Sequence, residues 1–488
     1  MLPPHPSAAL RLLNKFARSR PVLLDLRSSD VLITSAVAAA LFTDSFLYTV
    51  VVPVIPTALR VRVGLSEGDQ QKWTSILLSL YAAALLLASP PLGYLADRMS
   101  SRRVPLLLGL VALAASTGLL CSGTTVGLWA AGRFCQGLSA AVVWAVGFAL
   151  IRDTIPPEKF GRVIGILGMA SSVGSMTGPL LGGLLYERGG YYAVFGLSFG
   201  VIGLDVILRF LLIEKRQAAK WLAASGVQLQ LESQGRSSQL IEPRDEESET
   251  EDMNRIQTPV ESVAPICSSS WGLTFLLLRS PRLASVLGGY MVIALIGASF
   301  NTILPLCVEE TFGWQQMGQG LIFIPLAAPH AFNPLIGRIV DHSRRSSRYF
   351  AAGAMFLSVP VYALLRLVDQ NSLGQKVLLC ALLALIGLSL AVCMPPLMIE
   401  VSFELSRLEQ NDPSLFSGGG ATAQAYGMLN SAWATGNLIG PYLAGYVKEA
   451  AGWGTITWVL GLVAGITSLP LFLYLGGWIG QTTRAHAE

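Results

Sequence analysis

The chain has 488 residues, of which 52% are hydrophobic and only 13% are charged. Soluble domains contain roughly 25% charged residues, so this composition excludes an ordinary soluble protein and indicates a membrane protein. The formal net charge of +4 is explained by basic residues beside the apolar stretches, and no nucleic-acid partner is expected.

Twelve apolar stretches are long enough to cross a bilayer as helices, which takes about 20 residues each. Alternating polar residues are absent and unpaired backbone is costly in lipid, so helices are predicted rather than strands. We therefore predict an all-α membrane protein. The first six spans are predicted at 31–56, 73–96, 104–123, 125–150, 162–186 and 191–213, and the last six at 283–307, 317–338, 349–368, 376–399, 421–447 and 452–478.

Lysine and arginine are concentrated in alternate loops, the pattern expected of loops on the cytoplasmic side. Two such groups follow the second and the eighth span: Arg98, Arg102 and Arg103, then Arg338, Arg344, Arg345 and Arg348. Both termini are therefore predicted to be cytoplasmic. The basic N-terminal segment has no cleavable apolar region, so no signal peptide is expected.

These features predict five regions. They are a cytoplasmic N-terminal segment (1–30), a six-helix bundle (31–213), a cytoplasmic linker (214–282), a second six-helix bundle (283–478) and a cytoplasmic tail (479–488). The acidic core of the linker, 235–262, cannot bury enough apolar surface to fold and is predicted to be disordered. It is either a simple tether or, if Ser248 or Thr250 is phosphorylated, a regulatory segment.

Two motifs repeat at nearly the same distance along the chain. Gly93 and Asp97 recur 244 residues later as Gly337 and Asp341. Gly178-Pro179 recurs 262 residues later as Gly440-Pro441. A duplicated membrane protein usually consists of two helical halves around one central site, which favours a transporter.

Ionisable residues inside the predicted spans are candidates for function, because charge at membrane depth is costly. Asp44 lies near the middle of the first span and is expected to bind a substrate ammonium group or to carry a proton. Arg133, in the fourth span, is expected to pair with a substrate or a carboxylate. The alternative for Arg133 is a fixed ion pair with Asp97 or Asp153.

Other polar residues within the spans have more ordinary interpretations. Asp205 and Arg209 are four residues apart on one helix face, so a local ion pair is predicted. Asn301 and Asn430 either face a central cavity or form hydrogen bonds between helices.

The sequence contains no recognisable set of catalytic residues, so an enzyme is not expected. The six cysteines are scattered and the four histidines are not spaced as metal ligands, so no metal site or disulfide framework is expected. A phosphate-binding loop of the Walker type is also absent, which leaves ATP without a visible docking site.

Three signatures, in the correct order and spacing, resemble those of the major facilitator superfamily over essentially the whole chain. The loop after the second span carries Gly93, Asp97, Arg98, Arg102 and Arg103; the fourth span carries Arg133 and Gln136; and the fifth carries Gly174, Gly178, Pro179 and Gly182. The first span, from Asp44 to Pro56, is similar to that of vesicular amine and related drug:proton antiporters. Acidic residues of vesicular amine transporters are replaced here by Ala391 and Asn430, and a lysine by Tyr81.

The resemblance implies two pseudo-symmetric six-helix bundles that alternate access to a central site. It implies a monomeric secondary transporter that exports a small amphiphilic or cationic compound in exchange for protons at the plasma membrane, without a cofactor. Uptake into a vacuole or vesicle is the alternative, and a non-transporting nutrient sensor is an alternative of another class. Proton coupling or substrate binding is expected of Asp44, Arg133, Gln136, Asn301 and Asn430, and conformational gating of Gly93, Asp97, Arg98, Arg102, Arg103, Gly174, Gly178, Pro179, Gly182, Gly337 and Asp341.

Overall fold

The computed structural model describes residues 24–99, 101–212, 215, 218, 221, 277–314, 316–342, 346–411 and 421–477. Within these ranges the regular structure is entirely helical, which confirms the predicted all-α class. The predicted linker core (235–262), the C-terminal tail (479–488), Arg344 and Arg345 lie outside the described residues.

The helices of the N-terminal half are α1 (Leu24–Arg27), α2 (Asp30–Val50), α3 (Ile55–Ala58), α4 (Glu67–Asp97), α5 (Arg103–Cys121), α6 (Val126–Thr154) and α7 (Pro157–Leu211). Those of the C-terminal half are α8 (Pro281–Phe312), α9 (Gln316–Leu321), α10 (Phe323–Ala327), α11 (Asn333–His342), α12 (Ser346–Leu364), α13 (Leu373–Asn411), α14 (Thr422–Ala451) and α15 (Trp453–Tyr474). A π-helical turn (Leu59–Val63) follows α3, and 3₁₀ turns follow α10 (Ala328–Phe332) and α12 (Leu365–Leu367).

Ten helical segments of the described chain are long and apolar enough to cross a membrane. One of them, α7, covers two predicted spans, and its backbone leaves helical geometry between them, at Gly190 (φ 72°, ψ −172°). Glycine adopts such a conformation at no steric cost, which explains the break. The 30-residue α14 is not among the ten, since its polar residues lower its hydropathy. The total of twelve spans therefore stays a prediction.

The described residues divide into two compact units. The smaller contains residues 24–33 and 211–221, where Leu24 packs against Ala218 and Trp221 and Lys215 forms an ion pair with Asp30. The larger contains both helical halves, from residue 34 to 210 and from 277 to 477.

Glycine stripes allow close helix packing at equivalent places in the two halves of the larger unit. Gly174 and Gly178 of α7 lie directly against the backbone of α2, and Gly436 and Gly440 of α14 lie directly against α8. Helix association in lipid depends on such close contact rather than on the hydrophobic effect. The second repeated motif thus marks two related helix pairs, α2 with α7 and α8 with α14.

Candidate functional site

Asp44 is almost completely buried in α2, with 2% of its surface exposed. Its Oδ2 accepts hydrogen bonds from Trp144 Nε1 at 2.8 Å and from Tyr81 Oη at 3.3 Å. Its Oδ1 is buried without a hydrogen-bond partner. Because a buried carboxylate oxygen without a partner is costly, this atom is suited to accept a proton or a cationic group.

Arg133 of α6 is fully buried, with 0% of its surface exposed. Its Nη1 donates to Gln136 Oε1 at 2.8 Å and to the Tyr48 carbonyl at 3.2 Å, whereas Nε and Nη2 are without partners. The guanidinium lies 5.3 Å from the centre of the Tyr48 ring, a cation–π contact. The cation is therefore held by neutral groups.

The ion pair with Asp97 or Asp153 that the sequence left open for Arg133 is absent from the described part of the chain. Both carboxylates bind Arg102 instead, at 2.9 Å and 3.2 Å. The local pair predicted for Asp205 and Arg209 is confirmed, with Oδ2 and Nη2 3.0 Å apart.

Two tyrosines lie between the buried acid and the buried base. The rings of Tyr48 and Tyr81 have centroids 4.4 Å apart. Tyr81 donates to Asp44 and Tyr48 lies over Arg133. The structure thus brings a carboxylate, a guanidinium and three aromatic side chains, including Trp144, into one largely buried cluster of α2, α4 and α6, in which Tyr48 and Trp144 are half-buried.

Sequence reasoning did not identify the aromatic members of this cluster. A signal was present, however. Tyr48 follows Asp44 by four residues, and Trp144 follows Arg133 by eleven, which are about one and three helical turns. Tyr81 offered no spacing signal, because it lies on a different helix from both charges, although its position matches that of a lysine of vesicular amine transporters.

The two asparagines expected at the site lie elsewhere in the described structure. Asn430 Nδ2 donates to Ser89 Oγ at 2.9 Å, which is a hydrogen bond between α14 and α4. Asn301 is exposed on α8. A role for either residue in substrate binding stays a prediction.

Asp97 joins the two halves at the end of α4. Its carboxylate oxygens accept hydrogen bonds from the backbone N–H groups of Ala423, at 3.0 Å, and Gln424, at 2.9 Å. These groups belong to the first turn of α14, where the helix dipole also favours a negative charge. We call this arrangement the first clasp.

Asp341 makes the equivalent contact from the C-terminal half to the N-terminal half. Its carboxylate accepts from the N–H groups of Gly161, at 2.6 Å, and Arg162, at 2.9 Å, near the start of α7. We call this arrangement the second clasp, and the end of the molecule that carries both clasps the clasp face. The halves touch at this face.

The clasp glycines permit this contact. A Cβ on Gly93 would collide with the Ala423 carbonyl, and one on Gly337 would collide with the Gly161 carbonyl. Of the other loop arginines, Arg98 lies over the Tyr94 ring, and Arg103 donates to the Phe210 carbonyl. Of the three arginines, Arg102 is the one that binds Asp97.

Arg152 forms a further link across the clasp face that sequence reasoning did not single out. From the last turn of α6 it bonds to Ser402, Ser406 and Glu409 of α13 and to Thr422 of α14. The ion pair with Glu409 is 3.0 Å long. Nothing in the local sequence around Arg152 reveals these partners, because they all lie in the other half of the chain.

The sequence profile of the Major Facilitator Superfamily matches residues 37–407, which include both clasps' carboxylates and the buried cluster. The chain belongs to this superfamily. It is an integral membrane transporter, and the resemblance inferred from its motifs is confirmed.

The sequence of this transporter is similar to those of several named transporters and resistance proteins. It is 30% identical over 473 residues to the MFS-type transporter ppzB of Metarhizium rileyi, covering 92% of this chain and 96% of that one. It is 23% identical to the class E tetracycline resistance protein of Escherichia coli, over 86% and 89% of the chains. A probable vesicular acetylcholine transporter of Danio rerio is 34% identical over 42% of this chain and 44% of its own.

The fold of a solved transporter is also similar. The crystal structure of the human organic anion transporter MFSD10 superimposes with a TM-score of 0.63 at 17% identity, over 91% of this chain and 99% of the other. At this identity the likeness shows the fold alone, and it agrees with the all-α major facilitator architecture predicted for this transporter.

Proposed function

We propose that this transporter exports a small amphiphilic or cationic organic compound in exchange for protons. The observation that carries the proposal is Asp44, a buried carboxylate with one oxygen bound and the other free. Trp144 and Tyr81 fix the bound oxygen, so the free oxygen keeps a defined position.

Exchange follows from competition for this one oxygen. A proton and an organic cation each neutralise Asp44, and they cannot do so together. The aromatic faces of Tyr48, Tyr81 and Trp144 suit the apolar part of an amphiphile and attract a cation. Binding of one partner then requires release of the other, which is antiport.

The buried Arg133 keeps a positive charge within the same cluster. Together with Gln136, it disfavours a second cation while Asp44 is protonated. We assign Arg133 to the proton-coupling machinery for this reason.

Alternating access supplies the movement that couples this exchange to transport. The clasps hold the halves together at one face, and their release opens the central cluster to that face. The basic loops beside the clasps support a cytoplasmic position for the clasp face and for both termini. Gly93, Asp97, Gly337 and Asp341 are the gating residues in this scheme.

Export at the plasma membrane is supported by the likeness to the tetracycline resistance protein. The likeness to a probable vesicular acetylcholine transporter supports a second candidate, proton-driven uptake into a vesicle or vacuole. The two functions use the same exchange and differ in the membrane that holds the protein.

Expression in a host that lacks its own efflux pumps tests the export proposal. Cells that carry the protein in their plasma membrane are expected to tolerate higher doses of toxic amphiphilic cations than cells with an empty vector. A membrane-localised protein that protects against none of these compounds would contradict the proposal. Sequestration without lowered whole-cell content would favour the vesicular alternative.

A further inference from the structure

Because of the internal repeat, the two interfaces between the halves contain residues at equivalent positions. In the first, α4 packs on α14, and Gly427 lies against the Ser89 carbonyl; in the second, α11 packs on α7, and Gly165 lies against the Asn333 carbonyl. Ser89 and Asn333 each precede a clasp glycine by four residues. They are therefore equivalent positions.

At these equivalent positions, a hydrogen bond between side chains is present at the first interface and missing at the second. Asn430 Nδ2 donates to Ser89 Oγ at 2.9 Å between α14 and α4. By the offset of 262 residues, the equivalent of Asn430 is Gly168. Asn333 therefore faces a residue without a side chain.

The amide of Asn333 is left without partners as a result. Asn333 has 0% of its surface exposed, and neither Oδ1 nor Nδ2 has a hydrogen-bond partner. A Cβ on Gly168 would lie 3.0 Å from Asn333 Nδ2. A buried polar group without a partner destabilises the state in which it is buried, and the penalty ends when water reaches it.

Two further features also favour the α4–α14 interface as the stronger of the two and the α7–α11 interface as the weaker. Arg152 bonds to Thr422 at the start of α14, which adds a contact beside the first clasp. The 3₁₀ turn Ala328–Phe332 directly precedes Asn333, and such a turn within a membrane helix often marks a hinge.

We propose that Asn333 is a gating residue whose unpaired amide makes the α7–α11 interface the weaker of the two. The clasp face then opens first between α7 and α11, and the substrate path to this face runs past Asn333. This inference goes beyond proton exchange and does not depend on the identity of the substrate.

Restoring the missing hydrogen bond tests the proposal. Gly168→Ser places a hydroxyl opposite Asn333, as Ser89 lies opposite Asn430, and Gly168→Ala adds the same Cβ without the hydroxyl. The reporter is Met394→Cys; Met394 is 5% exposed on α13, and its sulfur lies 4.0 Å from the position of a Gly168 Cβ. The six native cysteines are replaced in this background.

A membrane-impermeant maleimide is applied from the clasp face to the full-length protein in membrane vesicles without substrate. Labelling of Gly168→Ser is expected to be about fivefold slower than that of Gly168→Ala, the effect of one net hydrogen bond on the opening equilibrium. The difference is expected to vanish when Asn333→Ala is added. Equal rates for the two variants, or a difference that persists without Asn333, would overturn the proposal.

Asn333→Leu provides a second route if a side chain at position 168 impairs folding. Leucine removes the unpaired amide at similar volume, so slower labelling than in the parent is expected. Unchanged or faster labelling would overturn the proposal. Because these rates report opening without substrate, their outcome is distinguishable from a failure of proton exchange.

Discussion

Asp44 and Arg133 carry opposite charges in one buried cluster, yet each is bound by neutral side chains. Tyr81 and Trp144 satisfy one carboxylate oxygen, and Gln136 satisfies one guanidinium nitrogen. The remaining atoms of both groups are free for ligands. This arrangement differs from Asp205 and Arg209, which neutralise each other and leave no atom for exchange.

Asp44→Asn is expected to abolish gradient-driven transport while the protein still reaches the membrane. Asparagine keeps the volume and a hydrogen-bond acceptor but cannot take up a proton or neutralise a cation. Transport is measured as uphill movement of a compound found by the resistance screen. Glu310→Gln is the matched control, because the Glu310 side chain is 63% exposed and paired with Lys448 away from the cluster. Uphill transport retained by Asp44→Asn would remove Asp44 from the mechanism.

The charged members of the cluster were predictable from the sequence, whereas their partners were not. A lone acid in an apolar span is conspicuous, since charge at membrane depth needs a reason. The same holds at the clasp face, where the partners of Asp97 in the other half lie 326 and 327 residues away and those of Arg152 lie 250 to 270 residues away. Which helix faces meet depends on packing of the whole molecule, and local sequence does not encode it.

At the scale of helices, glycine decides how closely neighbours approach. Gly178 of α7 lies against Phe46 and Thr49 of α2, and Gly440 of α14 lies against α8 in the same manner. The sequence predicted close packing of the fifth span from its glycine spacing. It did not reveal that the partner is α2, the first span of the same half, so a direct role of Gly178 in gating stays a prediction.

Gly178→Leu is expected to destabilise the folded protein, and Gly183→Leu is not. A Cβ at position 178 would collide with Thr49, whereas nothing lies within 4 Å of a Cβ at position 183. Overpacking of this kind typically costs about 1–3 kcal/mol. The measurement is the midpoint of thermal unfolding in detergent. Equal midpoints for the two variants would show that α2 and α7 can separate without loss of stability.

At the scale of the whole molecule, duplication explains both the fold and the two clasps. Asp97 and Asp341 hold equivalent helix starts in opposite halves, as the repeat of their motif indicates. The all-α fold and the two-half organisation were predictable because bilayer thickness and backbone hydrogen bonding leave few alternatives. The missing hydrogen bond at Asn333 was not predictable, because it depends on which helices meet.

The most direct test of proton exchange is the movement of protons in sealed proteoliposomes that contain the purified protein. A pH-sensitive dye is enclosed, and a compound identified by the resistance screen is added outside without an imposed pH gradient. If the protein exchanges protons, entry of the compound drives protons out, so that the interior becomes alkaline, and Asp44→Asn abolishes this change. Entry of the compound with no proton movement, or with protons moving in the same direction, would contradict proton exchange.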